Sequence, residues 1–311
     1  MTAKTGLELR VDPFVDLYFS VRAQAADLDE EPAPGYGPAV GAARSVQEML
    51  GSFGGWGPLD SQVFELSPAE VVEAFSSLPE PYERRGRSLS LRGPAVRLAE
   101  AVEALMPGFL AGEWPTRRSR LEARVDFLER EFIPRHREAL AHMMSSLGIS
   151  DPGSTVPMYL VTTTNPPGAM TYYLHGGRQV SVLAVGVGGS DSLLMETLLH
   201  EATHTLDLAS RESGSVFGAM RQLLEDRGLS RGDNAYHDIP HTLMFIQAAE
   251  TMRRVYDPAH VAYGDATDLY ERSGEIAVVE LAVWPRYLAG ELSRDEALRR
   301  IVEALDPRPG D

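Results

Sequence analysis

Apolar residues recur at helical spacing through most of this chain, and the stretches between them are rich in glycine and proline. Side chains three or four positions apart lie on one face of a helix, so this period predicts amphipathic helices. The predicted helices span residues 13–26, 42–50, 68–76, 117–147, 191–209, 216–226, 240–256, 275–288 and 294–305. Within residues 117–147, Pro134 predicts a kink because proline lacks a backbone donor.

Two stretches of the chain have a different pattern. Residues 156–162 and 179–187 are rich in β-branched side chains and are bounded by turn-forming residues, which predicts strands of a small antiparallel sheet. The expected fold class is therefore α+β and mostly helical. The chain divides into a helical N-terminal region, residues 1–150, to which the sequence assigns no role, and residues 151–311, which contain the sheet and the candidate chemistry.

Composition excludes several classes of function. Acidic residues outnumber basic ones, 45 to 29, and a net charge of -16 repels phosphate groups, so neither nucleic acid nor a membrane is an expected partner. Because the chain contains no cysteine, a transition metal must be bound by histidine and carboxylate. Residues 1–10 lack the pattern of a signal peptide, which predicts a cytoplasmic protein, or a secreted one if a leader has been removed.

The clearest chemical signal is the sequence His-Glu-Ala-Thr-His at residues 200–204, an HExxH motif inside a predicted helix. At about 100° per residue, His200 and His204 lie on one face, one turn apart, where both imidazoles can reach one metal ion. Glu201 is placed to act as a general base that takes a proton from the attacking water. Glu196 and Asp207 are each either hydrogen-bond acceptors for a ligand imidazole or solvent-exposed carboxylates.

A catalytic zinc needs a third protein ligand, and the helix predicted at residues 240–256 offers two candidates. His241 and Glu250 are nine residues apart and lie on opposite faces of a straight helix, so one of them at most can reach the metal. Most of the apolar residues share the face of His241, which indicates that this histidine faces the interior and is the third ligand. Glu250 remains the main alternative, ahead of His237 and Asp207.

Tyr263 follows this helix and is a candidate to donate a hydrogen bond to a developing oxyanion, although a packed loop tyrosine would give the same sequence. His260 and Tyr173 are weaker candidates for that role. The strand at 179–187 runs into the metal helix through two glycines. Its edge could hold an extended peptide substrate, and a plain sheet packed on the helix predicts the same pattern.

The strand, the Gly-Gly turn and the HExxH helix together resemble the zincin metallopeptidases, over about residues 156–264. In that superfamily the residues matching His200 and His204 bind Zn²⁺, and the one matching Glu201 activates water. Asp207 and Ser210 stand where the metzincin extension of the motif has Gly and His, so the chain is not a metzincin by motif. A glutamate at position 250 as ligand would give the gluzincin pattern, whereas His241 gives a three-histidine variant.

The expected function is that of a zinc-dependent metallopeptidase acting on peptide or protein substrates, with His200, His204 and His241 as ligands and Glu201 as base. The alternative is a zincin-fold protein that holds the metal for regulation or interaction and cleaves nothing. Replacing Glu201 by glutamine distinguishes the two, because only an enzyme depends on the base. The sequence indicates neither the cleavage specificity nor the oligomeric state.

Overall fold

The computed structural model describes residues 5–51, 56–84, 87–164, 168–174, 178–209, 214–230 and 233–305, without the side chains of residues 84 and 207–209. The strands are β1 (Gly6–Arg10), β2 (Tyr82–Arg84), β3 (Arg87–Leu89), β4 (Thr155–Val161), β5 (Ala169–Tyr173) and β6 (Gln179–Ala184). The helices are α1 (Pro13–Ala26), α2 (Gly37–Leu50), α3 (Gly57–Asp60), α4 (Pro68–Ser76), α5 (Arg92–Ala111), α6 (Trp114–Glu131), α7 (Ile133–Leu147), α8 (Asp191–Ala209), α9 (Val216–Asp226), α10 (Asn234–Val255), α11 (Tyr263–Ala266), α12 (Leu269–Ser273), α13 (Glu275–Leu288) and α14 (Arg294–Ala304). The expected class, α+β and mostly helical, is confirmed.

The chain forms two compact units. The first contains the described residues within Met1–Leu7, Leu128–Val156 and Gly188–Asp311, and the second those within Glu8–Phe127 and Pro157–Val187. The HExxH helix α8 therefore belongs to the first unit, and most of the sheet belongs to the second. No helix in the described part of the chain is both long and apolar enough to cross a membrane.

Local capping explains why several helices begin where the sequence predicts. At α1 the Asp12 carboxylate accepts hydrogen bonds from the amides of Phe14 and Val15 at 2.8 and 2.9 Å, and Pro13 occupies the first helical position. At α4, Ser67 and Glu70 form a reciprocal capping box. These side chains satisfy amides that the first turn of a helix leaves without partners, so the helix starts are encoded locally.

The predicted long helix at residues 117–147 is two helices, because α6 ends at Glu131 and α7 begins at Ile133. Pro134 occupies the first turn of α7, where its missing amide costs nothing, so the proline starts a helix instead of kinking one. His136 of α7 is buried: the residue is 7 % exposed, and its Nδ1 lies 2.5 Å from the carbonyl oxygen of Ile133.

The four-stranded sheet has the order β1-β4-β6-β5 and is mixed. Strand β4 runs parallel to β6, with Met158 opposite Ser181, whereas β5 runs antiparallel to β6, with Ala169 opposite Leu183. The expectation of an antiparallel sheet is therefore wrong for β4 and β6. In the sheet β6 lies between β4 and β5 and pairs in parallel with β4. Because β6 is hydrogen-bonded on both sides, the strand predicted to offer a free edge for a peptide has none.

Helix α10 is the centre of the first unit, where it contacts α7, α8, α9, α11, α12 and α13. Its buried polar side chains are satisfied: Trp284 of α13 donates to Gln247 Oε1 at 2.9 Å, and Gln247 Nε2 donates to Thr251 Oγ1 at 3.1 Å. A polar group buried without a partner costs about 1–3 kcal/mol, so these bonds make this helix packing specific. Helix α10, which carries His241, is thus held in place by neighbouring helices on several sides.

Glu280 of α13 departs from this pattern. Its side chain is fully buried, and neither carboxylate oxygen has a hydrogen-bond partner among the described residues. Burial raises the pKa of Glu280 well above its usual value, so the folded protein keeps this group protonated. The unfolded chain releases the proton above about pH 4.3, and the stability of the fold therefore falls as pH rises from there toward the raised pKa.

We expect Glu280→Gln to match the wild type in free energy of unfolding near pH 4 and to exceed it increasingly at higher pH. The limiting gain is about 1.4 kcal/mol per pH unit, because glutamine cannot ionise in the unfolded state. Urea unfolding at pH 4, 6 and 8 measures the difference. Parallel pH profiles for the two proteins would contradict the assignment of a buried neutral carboxyl.

Candidate metal centre

Helix α8 carries the HExxH motif. The Ser190 hydroxyl accepts from the Leu193 amide at 3.3 Å and the Ser190 carbonyl from the Leu194 amide at 3.0 Å, which begins the helix where the sequence predicts. The buried apolar side chains of this helix are Leu193, Leu194, Met195, Leu198, Leu199, Ala202 and Leu206. Their packing fixes the rotation of α8, so the face that carries His200 and His204 is set by the core.

The structure brings His200, His204 and His241 together. Each offers one nitrogen, and these three atoms lie within 4.8 Å of one another. His200 Nε2 and His204 Nε2 are 3.1 Å apart. The centre of the His241 ring lies 5.1 Å from the centre of the His200 ring and 5.3 Å from that of the His204 ring. Three imidazoles that converge in this way could hold one metal ion, and they match the number of protein ligands at a catalytic zinc.

His241 comes from α10, which begins six residues earlier than the sequence predicts and continues through Pro240. The expectation that His241 belongs with the motif histidines is confirmed by this proximity. His241 lies among protein atoms but keeps part of its side chain accessible to solvent, whereas His200 is 2 % exposed and His204 is intermediate. The three rings thus form a site that is closed at His200 and open to solvent at His241.

The electrostatics of the cluster suit metal binding. Burial, followed by the neighbouring His241, lowers the pKa of His204 to about 3. Burial also lowers the pKa of His200 well below its usual value, with smaller contributions from His204 and His241. The pKa of His241 is lowered by burial against a weaker opposing effect of Asp238. All three imidazoles are therefore neutral at pH 7, which is the form that binds a metal ion.

Glu201 and Tyr263 are the two predicted catalytic residues. Glu201 follows His200 directly on α8 and is 4 % exposed. Tyr263 begins α11, and its half-buried ring stacks on Phe245 of α10 at 5.5 Å between ring centres. Burial raises the pKa of Tyr263, so its hydroxyl stays protonated at neutral pH and can donate a hydrogen bond.

Of the other candidate residues, Glu250 and His237 are not members of the histidine group. Glu250 forms an ion pair with Arg253 at 2.5 Å and is not part of the histidine group. His237 is exposed on α10, and Tyr173 is 52 % exposed on β5 of the second unit. The side chain of Asp207 lies outside the described part of the chain.

Sequence reasoning missed two features of the site. Glu196 is neither solvent-exposed nor bonded to a ligand imidazole: it is fully buried, and its Oε2 accepts from His260 Nε2 at 2.6 Å and from the Tyr263 amide at 2.7 Å. Phe245 of α10 stacks on the His200 ring at 3.7 Å between ring centres. The one local signal for Glu196 is a charged residue inside the apolar run of α8.

No protein-family model, curated protein or solved structure matches this chain. The resemblance to zincins therefore depends on the HExxH motif of the sequence. What is established at this site is a three-histidine cluster able to hold a metal ion.

Proposed function

We propose that this chain is a zinc-dependent hydrolase of the zincin type that cleaves peptide bonds. The observation that carries the proposal is the convergence of His200, His204 and His241, with Glu201 next to His200 on the same helix. This set combines three neutral nitrogen ligands with a carboxylate placed for proton transfer, which is the composition of a hydrolytic zinc site. Among common metals, zinc fits three imidazoles well, and the chain has no thiolate to offer.

The residues divide the work as follows. His200, His204 and His241 would hold the ion, which supplies polarisation of the substrate carbonyl and a lower pKa for water when bound. Glu201 takes a proton from the attacking water and then passes it to the leaving amine. Tyr263, whose hydroxyl stays protonated, is the candidate donor to the oxyanion. The exposed position of His241 places the open side of the cluster toward solvent, where a substrate can enter.

The test is cleavage of a peptide library by zinc-loaded protein, read by mass spectrometry, beside protein stripped with a chelator and protein to which zinc has been restored. We expect the zinc-loaded protein to cleave peptides, the stripped protein to cleave none, and cleavage to return when zinc is restored. The reason is that the proposed reaction needs the bound ion to activate water and polarise the carbonyl. Fully zinc-loaded protein that leaves every peptide intact would contradict the peptidase proposal.

A further inference from the structure

A buried carboxylate connects α8 to the segment that follows α10. Glu196 lies one turn before His200, and its Oε2 accepts two hydrogen bonds, from His260 Nε2 at 2.6 Å and from the Tyr263 amide at 2.7 Å. The side chains of Glu196 and His260 are each 1 % exposed. Hydrogen bonds to a carboxylate that is buried from solvent are stronger than bonds at the surface, so this contact fixes Tyr263 relative to α8.

From Tyr263 a stack of aromatic rings returns to α8. The Tyr263 and Phe245 rings are 5.5 Å apart and inclined by 19°, and the Phe245 and His200 rings are 3.7 Å apart and inclined by 21°. The series thus begins at Glu196 and ends at His200, four residues later on the same helix.

One face of the His200 ring is covered by this stack. A metal-binding histidine usually donates its second ring nitrogen to a carboxylate or carbonyl, which fixes the plane of the ring. The buried Nδ1 of His200 has no hydrogen-bond partner among the described residues. The closest ring contact of His200 among the described residues is the stacked face of Phe245, at 3.7 Å between ring centres.

At the other end of the stack, the Tyr263 ring lies close to the backbone at Gly188. Gly188, with φ of +71°, lies so close that a Cβ there would meet Tyr263 Cδ2 at 3.3 Å and Leu193 Cβ at 2.6 Å. Backbone cannot yield as a flexible side chain does. The Tyr263 ring therefore has the backbone at Gly188 and the ring of Phe245 as close neighbours, and the hydrogen bond from the Tyr263 amide to Glu196 fixes the backbone of Tyr263.

We propose that Glu196 is a positioning residue for the metal ligand His200, acting through Tyr263 and Phe245. The inference rests on the proposed function in taking the three-histidine cluster as a metal site. Glu196 touches neither the ion nor a substrate in this role. It keeps the His200 ring in the orientation that metal binding requires. The entropic cost of ordering this ring when the ion binds is therefore smaller.

The experiment compares Glu196→Ala with Glu196→Gln and with Thr197→Val. Glutamine keeps an oxygen that can accept both bonds, and Thr197 is a buried neighbour whose hydroxyl bonds only to its own helix, at the Leu193 carbonyl. Zinc affinity is measured by chelator competition, and ligand geometry by the visible spectrum of bound Co²⁺. We expect Glu196→Ala to weaken zinc binding by roughly 10–100-fold and to shift the Co²⁺ bands, and the other two variants to stay within about threefold.

A second measurement uses metal-free protein with isotope-labelled histidine. The ring protons of His200 lie over Phe245 and should carry a ring-current shift that disappears in Phe245→Leu and moves in the same direction in Glu196→Ala. Wild-type resonances and Co²⁺ bands in folded Glu196→Ala would overturn the proposal. If Glu196→Ala does not fold, Phe245→Leu with wild-type Co²⁺ bands overturns it instead.

The two proposals fail in different ways. Wild-type protein that binds neither zinc nor Co²⁺ removes the basis for the proposed function. In that case the histidine spectra of the metal-free variants still decide whether Glu196 sets the orientation of His200.

Discussion

The His241→Ala substitution should abolish zinc binding at the three-histidine cluster. Wild-type protein is expected to hold about one zinc per chain after dialysis, and His241→Ala almost none, because two imidazoles leave a site with one protein ligand fewer than a catalytic zinc uses. The loss of affinity should exceed about 100-fold, the upper end of what removing an outer hydrogen-bond partner costs. Elemental analysis of dialysed protein measures the difference directly.

Glu250→Ala is the matched control, since it removes the other candidate ligand from the same helix. Glu250 pairs with Arg253 in the structure, so its loss should leave the zinc content at the wild-type value. Zinc lost from Glu250→Ala and kept by His241→Ala would replace the three-histidine site with a glutamate-ligand arrangement. Wild-type protein without zinc would remove the basis for a zinc hydrolase.

The two motif histidines and His241 were predictable for different reasons. His200 and His204 are four residues apart on a capped helix, so their alignment follows from local geometry alone. His241 was found by its position among apolar residues around the helix axis, but its exposure was not. A helical period gives the direction of a side chain around the axis and says nothing of how deeply each turn is covered along it.

The features that the sequence missed depend on contacts between distant residues. Glu196 and His260 are 64 positions apart, and no local pattern indicates that they meet. The parallel pairing of β4 and β6 is likewise a matter of strand order, which the alternation of side chains within each strand does not encode. Helix α5 was not predicted from the sequence. It contains Pro107 in its interior and Gly93 near its start, and proline and glycine are the residues that usually interrupt or end a helix.

Glutamine at position 201 should abolish most turnover and leave the metal in place. Glutamine has nearly the shape of glutamate but cannot accept a proton, so a general base is removed with little change in packing. General bases contribute about 10²–10⁴-fold to rate, and kcat on the best library peptide should fall by that amount. Zinc content and the Co²⁺ spectrum should stay at wild-type values, because Glu201 is assigned to proton transfer and not to the ion.

The control is Glu250→Gln, a half-buried carboxylate of the same unit whose partner is Arg253, and its kcat should match the wild type. Undiminished kcat in zinc-loaded Glu201→Gln would assign the base to another residue. If both proteins bind zinc and neither cleaves any peptide, the intact HExxH motif serves a metal-dependent regulatory or interaction protein. Zinc retention and turnover, measured together on one pair of variants, therefore separate the two functions that the site allows.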